Sequence, residues 1–344
     1  MSPLVWALLI STLSTGSIIV MSSHHWLFAW IGLEMNTLSI LPIIMKHHHP
    51  RATEAATKYF LIQATAAGLI LLSGALNAWQ SGYWLITQPM HPIPTTMLTA
   101  ALILKLGLAP VHAWFPEVLQ GSTMNTALII STWQKLAPLT FLYLTFNALS
   151  MTLLLFIGLL SAALGGLMGL NQTQTRKIMA FSSIAHMGWL LTAIVTGLNI
   201  ATTVLLTYLL MTTTVFLVLN ATSTKSLTDL TTAWPHSPTL QAMVTLTLMS
   251  LAGLPPLTGF LPKLLILKEL VMMDLIPLSM ALIFASLPSL YFYIRMMYLT
   301  AMTTPPSTTN NKHQWRLKLK PMKAMLLSAL SIALLYIAPL LYTL

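Results

Sequence analysis

The feature that most constrains this chain is the length of its uninterrupted apolar runs, of which 151–170 (MTLLLFIGLLSAALGGLMGL) is the plainest. A helix crossing a hydrocarbon layer about 30 Å thick needs roughly 20 apolar residues, and this run supplies them in one piece. Inside lipid only helices and closed barrels satisfy every backbone polar group. A barrel strand alternates apolar with polar residues, which this run does not. Composition agrees, with 56% apolar and 6% charged residues, far less charge than a water-facing surface carries. The expected fold class is an all-α polytopic membrane protein.

Read at that span length, the chain divides into about eleven transmembrane segments: 3–21, 24–45, 54–79, 94–121, 123–145, 149–170, 176–196, 200–221, 239–272, 275–299 and 322–343. The fourth and ninth are over-long and carry internal Gly and Pro, so each is expected to be one broken helix. The connection 300–321, with Pro305, Pro306, Asn310 and Asn311, is expected to be a flexible loop. Loop charges check the count independently. Lys46, Arg51 and Lys58 follow the second segment, Arg176 and Lys177 the sixth, and Lys225 the eighth. Lys312, Arg316, Lys318, Lys320 and Lys323 follow the tenth. All these loops follow even-numbered segments and so share a face with the N-terminus. Positive-inside reasoning puts that face on the cytoplasmic or matrix side and the C-terminus opposite. The net charge of +10 is then a matter of topology and needs no nucleic acid.

The two over-long segments resemble each other. GLAPVHAWFPEVL (107–119) aligns without gaps to GLPPLTGFLPKLL (253–265), matching Gly107 to Gly253, Leu108 to Leu254, Pro110 to Pro256, Pro116 to Pro262 and Leu119 to Leu265. The spacing gives five segments per repeat, and an odd number inverts the second copy. The expected organisation is a first five-helix repeat in 1–146, a second, inverted one in 147–299, and a loop with a C-terminal helix in 300–344. Inverted repeats with broken helices are a transporter architecture. Unwound backbone at membrane depth persists only where it is buried in protein or lines a hydrated cavity.

Four ionisable residues lie deep in these segments. Glu34 is near the middle of the second (WIGLEMNTLSILP), and Lys105 precedes the first break (ALILKLGLAP). Lys135 sits three residues before Pro138 (STWQKLAPL), and Lys263 follows the second break (GFLPKLLIL). Each costs about 2.5–3.5 kcal/mol on insertion scales. For Lys263 the plain alternative is a side chain snorkelling to the interface. Apolar flanks on both sides make that a poor account of Glu34 and Lys105. A buried lysine beside a movable carboxylate changes its readiness to hold a proton as its surroundings change, which is what a proton pump requires. His112, inside the first break, and His186, midway through the seventh segment, are candidate relays because imidazole titrates near neutrality. A polar ring bonded to a neighbouring helix accounts equally well for each. His47, His48 and His49 read as a solvated loop more readily than as a metal site. With no cysteine, disulfides, thiolate metal sites and iron–sulfur clusters are excluded. The start of the chain lacks the basic stretch of a signal or transit peptide, so insertion as made is expected.

Taken together, KLGLAPVHAWFPEV (105–118), STWQKLAPL (131–139), FSSIAHMGW (181–189) and LAGLPPLTGFLPK (251–263) resemble the antiporter-like membrane subunits of respiratory NADH:ubiquinone oxidoreductase, complex I. The resemblance runs nearly end to end. It implies a core, non-redox, proton-translocating subunit driven by quinone reduction elsewhere in the complex. It also implies that Glu34 pairs with Lys105 and that Lys135 is the central lysine of the next helix. Lys263 would be the charged residue of the second broken helix, and His186 would lie between two half-channels. NADH, flavin, iron–sulfur clusters and ubiquinone would belong to other subunits, with no cofactor and no metal bound by this chain. Partners would be other membrane-arm subunits and phospholipids. Bacterial members carry three further N-terminal helices that this chain lacks, as animal mitochondrial members do, so the implied location is the mitochondrial inner membrane. Abundant Met, 22 residues, and the lack of Cys fit an animal organelle genome. Two rivals stay open. A stand-alone cation/proton antiporter of the same superfamily would show cation-dependent proton flux when reconstituted alone. A purely structural membrane subunit would leave pumping stoichiometry intact after Glu34 and Lys105 are neutralised together.

Overall fold

The computed structural model describes residues 2–232, 238–255 and 257–301, which form helices and no β-strand. The chain splits into two compact units, Met1–Ile157 and Gly158–Leu344. In the first, α1 (Pro3–Ser22), α2 (Trp26–Ile44) and α3 (Pro50–Ser81) are each long and apolar enough to cross a membrane. α3 starts ahead of its apolar stretch because Pro50 presets φ for a first helical turn and His49 Nδ1 accepts from Arg51 N. α1 and α2 meet at two glycines. A Cβ on Gly16 would lie 2.9 Å from Gly32 O, and one on Gly32 would lie 2.8 Å from Gly16 O. Small residues let backbones close in lipid, where no hydrophobic force draws apolar helices together.

The expected first broken helix is α4 (Pro92–Leu106) followed by α5 (Trp114–Gly121). The next expected span, 123–145, is itself divided into α6 (Met124–Ser131) and α7 (Trp133–Thr145). Pro138 gives the reason. It offers no N–H to the Gln134 carbonyl and its ring crowds that turn, so the chain relaxes just upstream. Thr132 has φ −113° and ψ −71°, and Lys135 N donates to Thr132 O at 3.3 Å in a tightened turn.

α8 (Met151–Gly169) leads into the second unit, which continues with α9 (Thr175–Thr196), α10 (Leu198–Ala221) and the short α11 (Leu227–Thr232). The second broken helix is α12 (Pro238–Ala252) followed by α13 (Phe260–Met272), and α14 (Ile276–Ala301) comes last among the described residues. α9 is the central helix, with 94% of its most apolar stretch buried. α8 closes on it through a small residue, since a Cβ on Gly165 would lie 2.7 Å from Ala185 N.

Both breaks use one local device. α4 ends at Gly107 with φ +70°, and α12 ends at Gly253 with φ +82°. Gly107 N donates to Leu104 O and Leu108 N to Ile103 O; Gly253 N donates to Ser250 O and Leu254 N to Met249 O. These are the same bonds at aligned positions, of the kind in which a left-handed glycine after a helix lets the next amides turn back onto its last carbonyls. Helix resumes at the aligned residues Trp114 and Phe260. Pro256, residues 302–321 of the expected loop and the expected span 322–343 lie outside the described residues.

Loops expected to share a face do meet. In the first unit His25 bridges to Leu85, and Lys46 Nζ stands 4.8 Å over the Trp6 ring. In the second, Gln174 bridges to Ser226.

Candidate functional site

The first break delivers Lys105 to the inside of the first unit. Lys105 lies in the last turn of α4 and is 6% exposed, while Lys135, in the first turn of α7, is 3% exposed. Both line one cavity, together with Asn36 and Thr37 of α2, Tyr59 and Gln63 of α3, and Gln134. Its room for the centres of water-sized molecules is about 20 Å³, enough for about one water. Two amides brace its walls. Gln63 Nε2 donates to Lys105 O at 3.3 Å, satisfying a carbonyl left over at a helix end. Gln134 Nε2 donates to Asn36 O at 3.1 Å and so ties the kinked helix to α2. Lys135 Nζ stands 4.8 Å over the Phe115 ring, where the negative face of the aromatic favours a cation.

Glu34 is half-buried on α2. Its Oε2 and Lys105 Nζ are both buried without a hydrogen-bond partner among the described residues. Glu34 follows Leu33 and lies one turn before Thr37, both of which line the cavity. Glu34 and Lys105, expected to pair, make no hydrogen bond with each other. His112 is buried within the break, and its Nδ1 donates to Pro110 O at 3.2 Å. A carbonyl can only accept, so this bond fixes the Nδ1 proton.

In the second unit Lys263 turns back onto its own break. Its Nζ donates to Ala252 O at 2.9 Å, in the last turn of α12, and stands 5.9 Å over the Trp189 ring. A cation at a helix C-terminus meets the negative end of the helix dipole. Gly253 makes this approach possible, because a Cβ there would lie 2.8 Å from Lys263 Nζ. The Lys263 amine thus faces the break. His186 Nε2 lies 3.2 Å from Tyr293 Oη, with the Tyr208 ring 5.7 Å away.

Several polar residues of this scaffold carry no signal in the sequence. Tyr59, Gln63, Gln134 and Asn36 are uncharged and become meaningful only through their neighbours. Arg295, in α14, donates from Nη1 to Leu170 O at 3.0 Å just beyond the end of α8. Glu117, aligned with Lys263 in the repeat, is half exposed and shares Lys58 with Glu54, both contacts at 2.6 Å. Among the described residues no group of three His, Asp or Glu side chains is placed to hold a metal ion.

A many-span helical bundle with two glycine-capped breaks and lysines gathered at them is the build of an ion-translocating membrane protein. Residues 23–289 match the family model described as NADH:quinone oxidoreductase/Mrp antiporter, TM, and residues 290–342 match NADH dehydrogenase subunit 2 C-terminus. The chain belongs to the NADH dehydrogenase subunit 2 family. It is 49% identical over 343 residues to NADH-ubiquinone oxidoreductase chain 2 of Sibirionetta formosa and to that of Anas acuta, covering 99% of both chains in each case. Over 340 residues it is also 49% identical to the Struthio camelus protein of that name, covering 98% of each. Among solved structures it is similar to a chain of respiratory complex I from Thermus thermophilus with bound aureothin, at 28% identity and a TM-score of 0.84, covering 96% of this chain and 79% of that one. A chain of the Mrp complex from Dietzia sp. DQ12-45-1b shares the fold, at 16% identity and a TM-score of 0.83, covering 97% of this chain and 75% of the other.

Proposed function

We propose that this chain is a core, non-redox subunit of mitochondrial NADH:ubiquinone oxidoreductase that moves protons through Glu34, Lys105, Lys135 and Lys263. The observation that carries the reading is the small internal cavity shared by Lys105 and Lys135, with Glu34 next to its lining residue Leu33. Lysines inside a membrane bundle are expensive. Two of them around one water-sized space gain from that cost only if a proton has somewhere to go. His112 and His186 are further relay candidates, the first in a break and the second against Tyr293. Quinone reduction elsewhere in the complex would drive the transfer. This chain binds no cofactor of its own, and NADH, flavin, iron–sulfur clusters and ubiquinone stay with other subunits. Its partners are other membrane-arm subunits and phospholipids of the mitochondrial inner membrane, with the N-terminus in the matrix and the C-terminus in the intermembrane space.

The test is Glu34→Gln and Lys105→Met in the assembled complex. Each is expected to lower quinone reduction and proton pumping together, by about tenfold, or roughly 1.4 kcal/mol of barrier. The double variant is expected to be no worse than either single one, because two groups that act as a unit are not additive. Unchanged pumping stoichiometry in the double variant would instead assign the charges a bracing role.

A further inference from the structure

Glu34 Oε2 and Lys105 Nζ make no hydrogen bond with each other, so a proton passing between them needs a carrier. The groups available there are few. Gln63 and Gln134 face the cavity, but their amides are committed to Lys105 O and Asn36 O, and an amide is a poor proton carrier at neutral pH. Asn36 is an amide as well. Thr37 also lines the cavity, but its hydroxyl is committed to Glu34 O at 2.8 Å, and Tyr59 differs from all four. It is 2% exposed, lies on α3 and lines the same cavity as Lys105. Its ring meets the edge of Trp114 at 5.9 Å and 63°, which fixes the ring and leaves the hydroxyl as the moving part. Glu34 lies on α2 next to Leu33, one of the residues lining that cavity, and its Oε2 is buried without a hydrogen-bond partner among the described residues. A phenol both donates and accepts, and the cavity has room for about one water.

We propose that the Tyr59 hydroxyl, with one water, carries the proton between Glu34 and Lys105. The protonated Glu34 carboxyl gives its proton, through the water, to the Tyr59 oxygen as the tyrosine's own proton passes to the neutral Lys105 amine. The products are a Glu34 carboxylate, an intact phenol and a Lys105 ammonium, so the tyrosine ends as it began. Rotation of the hydroxyl resets the path. The inference rests on the proton-translocating reading above and adds a proton-transfer residue to it.

The experiment compares Tyr59→Phe, Glu34→Gln and Lys105→Met in the assembled complex, with assembly followed on native gels. Phenylalanine keeps the ring and its contact with Trp114 and removes only the hydroxyl. Tyr59→Phe should assemble normally and lose roughly tenfold or more of its coupled turnover, within the range of a lost proton-transfer group. It should also show a larger slowing in heavy water than the parent, a readout that a purely packing role would leave alone. Normal turnover and isotope effect in Tyr59→Phe, with Glu34→Gln and Lys105→Met impaired, would overturn this inference and leave the proposed function standing. Normal turnover in all three would overturn both. If Tyr59→Phe fails to assemble, a high-resolution map of the parent complex decides. A water within hydrogen-bond reach of Tyr59 Oη and Lys105 Nζ is expected, and a dry apolar gap between them would overturn the step.

Discussion

At the scale of single residues, the second break turns on one glycine. Gly253 adopts φ +82°, a conformation that costs an L-residue about 1–2 kcal/mol. A Cβ there would also lie 2.8 Å from Lys263 Nζ, so Gly253→Ala should push the ammonium off Ala252 O. Gly107 has the same backbone demand, at φ +70°, but its Cβ would meet Phe115 Cβ and Trp114 Cζ2 at 3.2 Å. Both alanine variants are expected to lower the yield of assembled complex. Gly253→Ala should in addition lower turnover per assembled complex, measured as quinone reductase activity normalised to the native-gel band. Equal normalised activity in the two variants would argue against a working role for Lys263 at its break.

At the scale of the element, the kink between α6 and α7 separates stability from function. Restoring an N–H with Pro138→Ala would let Gln134 O close its helical bond and draw Lys135 away from Phe115. Thermal stability should hold or rise while turnover falls; unchanged turnover would show that the kink is incidental. The connection before α11 offers a second test. Asp229 Oδ2 accepts from Ser226 N at 2.8 Å and from Lys225 N at 2.9 Å. Those amides, Ser226 first, hold its carboxyl below the usual carboxylate range. A lowered folded value means the contribution is complete above the unfolded pKa, about 3.9, and is lost as pH falls through the lower folded value. Asp229→Ala should therefore speed amide exchange at Lys225 and Ser226 equally at about pH 7 and about pH 5, since both lie above that window. A difference that shrinks by pH 5 would contradict the assignment.

At the scale of the whole molecule, sidedness is the quantity to measure. The chain contains no cysteine, so single introduced thiols report cleanly on it. Tyr83 is 58% exposed in the connection after α3, and Thr228 is exposed beside the basic Lys225 connection. Tyr83→Cys should react with an impermeant thiol reagent from the intermembrane side, and Thr228→Cys from the matrix side. Labelling of both from one side would refute the positive-inside topology.

Most spans among the described residues were legible in the sequence, because lipid forces each segment to satisfy its own backbone and that demand shows as length and apolarity alone; the division of 123–145 was not. The breaks were legible too. A helix that stops inside a membrane needs a glycine beyond its end, and Gly107 and Gly253 stand at aligned positions with flanking prolines. Glu34, Lys105, Lys135 and Lys263 stood out because apolar residues flank each of them closely. What only the tertiary structure decided is which of these groups meet. A sequence gives Lys105 and Lys135 separately, but their common cavity depends on α2, α3 and the kink at Thr132 converging on one space. Uncharged Tyr59, Gln63 and Gln134 cost little in any helix and acquire a role only when packing removes water around them. Likewise, nothing in the sequence says that Lys263 will bond Ala252 O. That contact exists because a glycine lets the chain fold back and leaves a helix-end carbonyl for the ammonium to satisfy.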